Sequence, residues 1–302
     1  MAAVDVSVVV PAYRANRTLP GCVASILEQR VDRSFEVVVV VSADTVAELP
    51  ALDPDPRLRV ITHVPRLTAA AARNRGVAES TGQLLAFTDA DVVVPPDWLG
   101  ELVAAADHGR LCVAGAVRNG TPDSAAGTAE YLVAFLDLHP DRPVRTAWHG
   151  ATCNLLVPRR LWERYGPFPE DMAGGEDTLL TVAARNDGNF TFGPRAAITH
   201  LQRTAVRDIV SHQYMYGEFT AHLGRRSDYK HRALVRYTML APVAAAGRVV
   251  SIYARVIAWA RGMRWRSILA FPVVVAAMTG WGTGLFREGW RLDRAGRRAR
   301  DS

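Results

Sequence analysis

Four stretches of the chain, Val6–Val10, Phe35–Val41, Leu84–Thr88 and Leu111–Val117, are almost unbroken apolar runs, and they limit the fold more than any other feature. A strand with one wet face alternates polar and apolar residues, whereas a strand without alternation is covered on both faces. Segments of helical spacing lie between the runs, at Leu19–Gln29, Thr68–Ser80 and Pro96–His108. Thr81-Gly82 stops the second of these helices, and Pro96 suits the first turn of the third. A shorter strand is expected at Leu58–His63. Strands and helices in alternation predict an α/β domain with a mostly parallel sheet flanked by helices. Ligands of such sheets bind beyond the carboxyl ends of the strands. That directs attention to Pro11-Ala12-Tyr13, Ser42-Ala43-Asp44 and Asp89-Ala90-Asp91.

After Gly120 the rhythm changes. Residues 121–150 are rich in Pro, Gly, Asp and Thr, with one expected helix at Gly127–Leu138, and they read either as an acceptor-side loop or as a surface excursion. A strand at Ala151–Val157 and helices at Arg159–Tyr165, Glu176–Arg185 and Ala205–Leu223 follow. With 49% hydrophobic and 22% charged residues over 302 positions, the composition is that of a globular protein and excludes a disordered or disulfide-stapled chain. Cys22, Cys112 and Cys153 are far apart and form no CxxC pair, which argues against structural zinc; Cys112 and Cys153, in apolar runs, read as core thiols in a reducing compartment. The N-terminus enters a strand without a basic and then apolar leader, so no signal peptide is expected and the bulk is expected on the cytoplasmic side.

Charge divides the chain. Residues 1–224 hold 20 Arg against 26 Asp and Glu, whereas residues 225–302 hold 16 Lys and Arg against 4 acidic residues. The division predicts a catalytic domain over 1–203 and a helical, basic and apolar tail over 204–302. Within the tail, Ser267–Phe286 is a run of 20 uncharged residues with arginines on both flanks. The run is just long enough to cross a hydrocarbon core, but basic flanks on both sides oppose a single span. Tyr237–Ala260, with Arg248 and Arg255 on one helical face, reads as interfacial. Monotopic docking on an anionic membrane surface is therefore expected, with a single span as the alternative and core helices of a soluble subdomain as the plain one. The apolar content of the tail argues against nucleic acid.

Candidate chemistry sits at strand ends. Asp89 and Asp91 follow an apolar strand directly and can converge on one hard divalent cation, or they form a solvated acidic turn. Glu176 and Asp177 open a helix, where carboxylates complement the dipole, and either could take a proton from an acceptor hydroxyl. Arg73 can clamp a phosphate or lie on a solvated helix face. His200 can ligate a metal or fill a structural position.

Taken in order, these motifs resemble the family-2 glycosyltransferases of GT-A fold. The resemblance rests on Val6-Ser-Val-Val-Val-Pro-Ala-Tyr13, Ala71-Ala-Arg-Asn-Arg-Gly76, Gly82-Gln-Leu-Leu-Ala-Phe-Thr-Asp-Ala-Asp91, Pro96-Asp-Trp-Leu99, Tyr165-Gly-Pro-Phe168, Gly175-Glu-Asp-Thr178 and Phe192-Gly-Pro-Arg-Ala-Ala-Ile-Thr-His200, and covers about residues 4–203. It implies inverting, metal-dependent transfer of a sugar from a nucleotide-diphosphate donor to an acceptor hydroxyl. It implies Asp91 as chief ligand of Mn or Mg, Asp89 on the metal or the donor ribose, and His200 completing the metal shell. Asp177 would be the base with Glu176 beside it. Pro11, Ala12 and Tyr13 would line the nucleotide site, with Arg73 near the donor. The tail suggests a lipid-linked or cell-envelope glycan as acceptor.

Two departures stand out. The acidic run usual after the second strand is replaced by Ser42-Ala43-Asp44, so that the donor is read either by Asp44 or by backbone groups. The Gln-x-x-Arg-Trp run of processive synthases is absent from Gln213-Tyr-Met-Tyr-Gly217, which favours single transfer. The alternatives are a non-catalytic nucleotide-sugar-binding protein of the same fold, supported by the altered run, and a nucleotidyltransferase, opposed by the lack of a Gly-rich loop after the first strand.

Overall fold

The computed structural model describes residues 4–45, 52–172, 174–225 and 235–301, the last six as main chain only. Ala173 of the expected approach to Glu176, Lys230, and the side chains of Arg297, Arg298 and Arg300 lie outside the described parts. The chain divides into two compact units, one of Met1–Arg118, Asp137–Met172 and Glu176–Leu201, the other of Asn119–Leu136, Ala173–Gly175 and Gln202–Ser302.

The first unit is built on an eight-stranded sheet of order β3-β2-β1-β4-β7-β6-β8-β5. The strands are β1 (Val6–Ala12), β2 (Phe35–Ser42), β3 (Leu58–His63), β4 (Leu84–Thr88), β5 (Val92–Val93), β6 (Cys112–Asn119), β7 (Asn154–Pro158) and β8 (Phe190–His200). Its helices are α1 (Leu19–Leu27), α2 (Ala69–Ala78), α3 (Trp98–Ala105), α5 (Arg159–Tyr165) and α6 (Glu176–Asn186), with α4 (Ala125–Ala134) belonging to the second unit. Val8, Val9 and Val10 of β1 and Val37 to Val40 of β2 are wholly buried, as runs without alternation require.

β1 runs two residues past its expected end at Val10. Its pairing with β4 ends at Val9↔Phe87, while its pairing with β2 continues to Ala12↔Val41. The missing N–H of Pro11 therefore falls beyond the β4 ladder, where it interrupts no bond.

The sheet is mixed rather than mostly parallel. β3, β2, β1 and β4 are parallel, as expected, but β7 runs antiparallel to β4 and to β6, and β5 runs antiparallel to β8. Apolar runs report that a strand is covered, not which way it points, so composition could not reveal the reversal after residues 121–150.

A buried asparagine ties this antiparallel half together. Asn154 Nδ2 donates to the carbonyls of Ala116 (2.8 Å) and Ala196 (2.7 Å), and its Oδ1 accepts from Trp98 Nε1 at 2.8 Å. Gly115 makes room for it, since a Cβ there would lie 2.2 Å from Asn154 Nδ2. Nearby, Phe87, Trp162 and Phe168 pack their rings at 4.9 to 5.6 Å and anchor the last turn of β4 in the core.

In the second unit, α4 is joined by α7 (Val206–Leu223), a helix over Ala241–Ala258 and a long helix over Arg264–Asp301. Two stretches, Thr238–Ala258 and Arg261–Ala295, are long and apolar enough to cross a membrane by length and composition.

Replacing Asn154 by Ala leaves two carbonyls and an indole N–H unpaired in a dry interior, each at about 1–3 kcal/mol. With part of this recovered by relaxation, Asn154→Ala should lower unfolding free energy by roughly 3 kcal/mol in a denaturant titration. A loss below about 0.5 kcal/mol, the scale of an ordinary surface change, would contradict this role.

Candidate active site

The acidic pair sits where β4 ends. Thr88 pairs with Asn154 and gives its hydroxyl proton to the Cys153 carbonyl (2.9 Å), so the turn into Asp89 starts from a strand end held on its β7 side. Three residues past Asp89, β5 pairs with the end of β8 in the register Val92↔His200, and Leu201 N donates to the Asp91 carbonyl at 2.9 Å. That register carries His200 to the acidic pair. One ligand atom each from Asp89, Asp91 and His200 all lie within 4.8 Å of one another, and His200 Nε2 is 3.4 Å from Asp91 Oδ1. Both carboxylates are partly exposed and the imidazole is buried. Three O and N donors with an open side suit a cation that shares its shell with a substrate.

Arg73, on α2, is 5% exposed and bridges two carboxylates. Its Nη2 donates to Asp89 Oδ1 at 2.7 Å and its Nη1 to Glu176 Oε1 at 2.8 Å. Both charges hold the guanidinium protonated against the cost of its burial. Arg73 thus joins the end of β4 to the start of α6.

At that start, Gly175 adopts φ +83°, a left-handed conformation that favours glycine, and the helix opens with Glu176 and Asp177. Asp177 accepts from the backbone N–H of Thr152 (3.2 Å) and, through its other oxygen, from that of Thr178 (2.6 Å). Burial pushes both carboxyls above the usual range. For Glu176 the Asp177 charge adds to burial, and for Asp177 these N–H bonds and Arg73 oppose it in part while the Asp89 charge adds to it. A carboxyl held high by desolvation is a stronger proton acceptor than one in water.

At the ends of β1 and β2, Tyr13 Oη donates to Asp44 Oδ2 at 2.8 Å and Arg14 Nη2 meets the same oxygen at 3.0 Å. Arg66 lies over the Tyr13 ring at 4.1 Å. Pro11 and Ala12 are the last residues of β1 and lead into this pair.

The structure therefore groups the expected residues in two sets. Asp89, Asp91, His200, Arg73, Glu176 and Asp177 are linked around the end of β4, whereas Tyr13 and Asp44 pair at the ends of β1 and β2. Two contributors escaped the sequence reading. Thr152 acts through its backbone N–H, which no side-chain pattern encodes. Asn74 binds both the carbonyl (2.9 Å) and the N–H (3.0 Å) of Phe168, fixing the segment that leads to α6; it was visible only as part of the Ala71–Gly76 motif.

Removing the bridge leaves Asp89 and Glu176 facing each other with Asp177 close by. Arg73→Met should cost about 3–5 kcal/mol of stability at neutral pH, the scale for breaking a buried pair. The carboxyls of this variant protonate more readily, so part of the loss should return as pH is lowered. Thermal melts across pH check both, and a variant as stable as the wild type would contradict the bridging role.

Residues 7–152 match the model of the family described as glycosyl transferase family 2. Glycosyltransferase AglE of Haloferax volcanii is 27% identical over 191 residues, which cover 61% of this chain and 62% of AglE. Succinoglycan biosynthesis protein ExoO of Rhizobium meliloti is 38% identical over 105 residues, 34% of this chain and 30% of ExoO. The chain thus spans less than two thirds of either relative. Among solved structures, the mannosyltransferase PcManGT from Pyrobaculum calidifontis, in complex with GDP-Man and Mn²⁺, superposes with a TM-score of 0.57 at 20% identity, covering 92% of this chain and 87% of that one. The shared fold is GT-A.

Proposed function

We propose that this chain, which belongs through residues 7–152 to glycosyl transferase family 2, moves a sugar from a nucleoside-diphosphate donor to an acceptor hydroxyl with inversion. The observation that carries the reading is the convergence of Asp89, Asp91 and His200 at the end of β4, joined through Arg73 to the Glu176-Asp177 pair. Two carboxylates and an imidazole fit Mn²⁺ or Mg²⁺. A cation held there would supply charge to neutralise the departing diphosphate.

The chain's own residues have separate tasks. Tyr13 and Asp44 meet the nucleoside, with the Pro11-Ala12 backbone beside them. Arg73 fixes Asp89 and adds positive charge on the donor side. Asp177 takes the proton of the acceptor hydroxyl as the new C1–O bond forms and the bond to the diphosphate breaks. Glu176, paired with Arg73, holds the bridge rather than the proton. Inversion needs no nucleophile from the protein, and this reading assigns none.

The acceptor in this reading is a lipid-linked or cell-envelope glycan, receiving a single sugar at the cytoplasmic face of a membrane. Support comes from the apolar outward surface of the second unit and from the succinoglycan biosynthesis protein among the relatives. PcManGT holds GDP-Man with Mn²⁺, which makes a GDP-sugar the first donor to try.

Ligand binding raises apparent stability by mass action. In thermal melts with GDP-, UDP- and dTDP-sugars, one donor should raise the melting temperature, and only with Mn²⁺ or Mg²⁺ present. No shift with any donor in folded protein would count against the transferase reading. The base makes a second prediction. Asp177 must be deprotonated to act, and its carboxyl is raised, so turnover should fall on acidification at a pH above about 4, the ordinary aspartate midpoint. A rate constant down to that pH would remove Asp177 from the role.

A further inference from the structure

The second unit turns apolar side chains outward where a soluble helix is polar. On the helix Ala241–Ala258, Val243, Val250 and Ile257 recur every seven residues and are 59%, 70% and 60% exposed. Ala244, Ile252 and Val256 fill its buried side. Its arginines avoid the outward stripe: Arg248 lies over the Trp281 ring at 4.5 Å, and Arg255 donates to the Ser251 carbonyl at 3.0 Å. The long helix returns alongside. Tyr253 donates to the Ser267 carbonyl at 2.8 Å and meets the Phe271 ring edge-on at 5.5 Å. Trp265, Ile268, Leu269 and Phe271 continue the exposed apolar surface at 71%, 58%, 56% and 48%. Further along, the exposed Thr279 and Thr283 donate their hydroxyl protons to carbonyls four residues back, at 2.9 and 2.8 Å, so these donors are satisfied within the helix. Arg261, between the two helices, and Arg264 and Arg266, in the first turn of the long helix, are all exposed; Arg264 Nη2 donates to the Ile257 carbonyl at 3.1 Å and Arg266 Nη2 lies 3.5 Å from Asp123 Oδ1.

The geometry points to in-plane docking: both helices lie flat in the headgroup region of an anionic phospholipid membrane, apolar stripe inward and turn arginines on lipid phosphates, and neither helix crosses. This rests on the membrane reading above and adds the residues that form the surface and the orientation of the two helices.

Crossing fails for reasons in the packing. A hairpin that crossed would carry the three turn arginines through hydrocarbon. A long helix that crossed alone would take α7 with it, because the two meet backbone to backbone. A Cβ on Gly217 would lie 2.0 Å from the Trp281 carbonyl, and one on Gly284 would lie 2.1 Å from that of Tyr214. α7 carries Arg207, Asp208, Glu218 and His222, which cannot enter a bilayer core cheaply. Arginines at both ends of the apolar run also place both ends on one side. A second copy of the chain is the poorer occupant, since its like-charged turn would have to approach across the same face, whereas lipid phosphate complements that charge.

The test uses the full chain. In flotation with vesicles of phosphatidylcholine alone, or of phosphatidylcholine and phosphatidylglycerol in equal parts, the protein should float with the anionic vesicles and be released by high salt. Changing Arg261, Arg264 and Arg266 together to Gln should weaken binding about 100-fold, at roughly fivefold per arginine. Val250→Asp, on the outward stripe, should weaken binding without changing the melting temperature. Orientation is read by impermeant maleimide on sealed, inside-out membrane vesicles from expressing cells, with single cysteines at Gly262→Cys and Ala295→Cys. The three native cysteines are buried, so background is low. A Cβ at Gly262 meets nothing within 4 Å. Both positions should label; protection of one would show a span and overturn in-plane docking while leaving membrane association intact. Equal binding to neutral vesicles would overturn the lipid charge. No flotation at all, or a stripe covered in a stable dimer by sedimentation, would overturn the membrane reading itself. Neither result bears on donor binding, which the thermal melts read separately.

Discussion

The buried guanidinium of Arg73 sits between Asp89 and Glu176, and much of the site depends on it. Three acidic groups with overlapping fields are gathered at the carboxyl end of a covered sheet, where burial limits their screening by water. One cation held by two hydrogen bonds is what makes that density of negative charge tolerable. It also divides the labour. Asp89 is fixed at its Oδ1 and Glu176 at its Oε1, while Asp177 accepts from two backbone N–H groups; the proposed mechanism gives the other oxygen of Asp89 to a ligand and the proton to Asp177. The same burial that makes the cluster costly raises the Asp177 carboxyl, and a raised carboxyl is what proton abstraction near neutrality requires.

The antiparallel half of the sheet sets the remaining geometry. β5 is only two residues long, yet its register with β8 places His200 beside Asp91 across more than a hundred residues of sequence. β7 holds Asn154 against three neighbouring elements, and just before it Thr152 supplies the N–H that orients Asp177. Fold and site are thus held by neighbouring residues of one segment.

Much of this was legible in the residues, and the exceptions share a cause. β3, β4 and α5 fall where the apolar and helical patterns place them, because local pattern decides burial. The Asp89-Ala90-Asp91 turn was legible because it follows an apolar strand directly. The antiparallel sense of β7, the strand Val92–Val93 and the full length of β8 were not, because they depend on pairing with partners distant in sequence. The opening of α6 was legible from Gly175-Glu-Asp, but the split between Glu176 and Asp177 was not, since it follows from which carboxylate reaches Arg73. In the tail, basic flanks on both sides of the apolar run favoured surface docking over a single span. The proposed in-plane docking leans instead on the glycines that seat α7 against the long helix, and only packing shows what they face.

The central claim is that one end of the Arg73 bridge binds the donor and the other moves the proton. Calorimetric titration of a nucleoside diphosphate with Mn²⁺ into Asp91→Asn and Asp177→Asn tests it directly. The account predicts binding close to wild type in Asp177→Asn, and loss of at least a tenfold factor, about 1.4 kcal/mol, in Asp91→Asn. Equal loss in both variants, or binding in Asp91→Asn that is unchanged and indifferent to Mn²⁺, would contradict it.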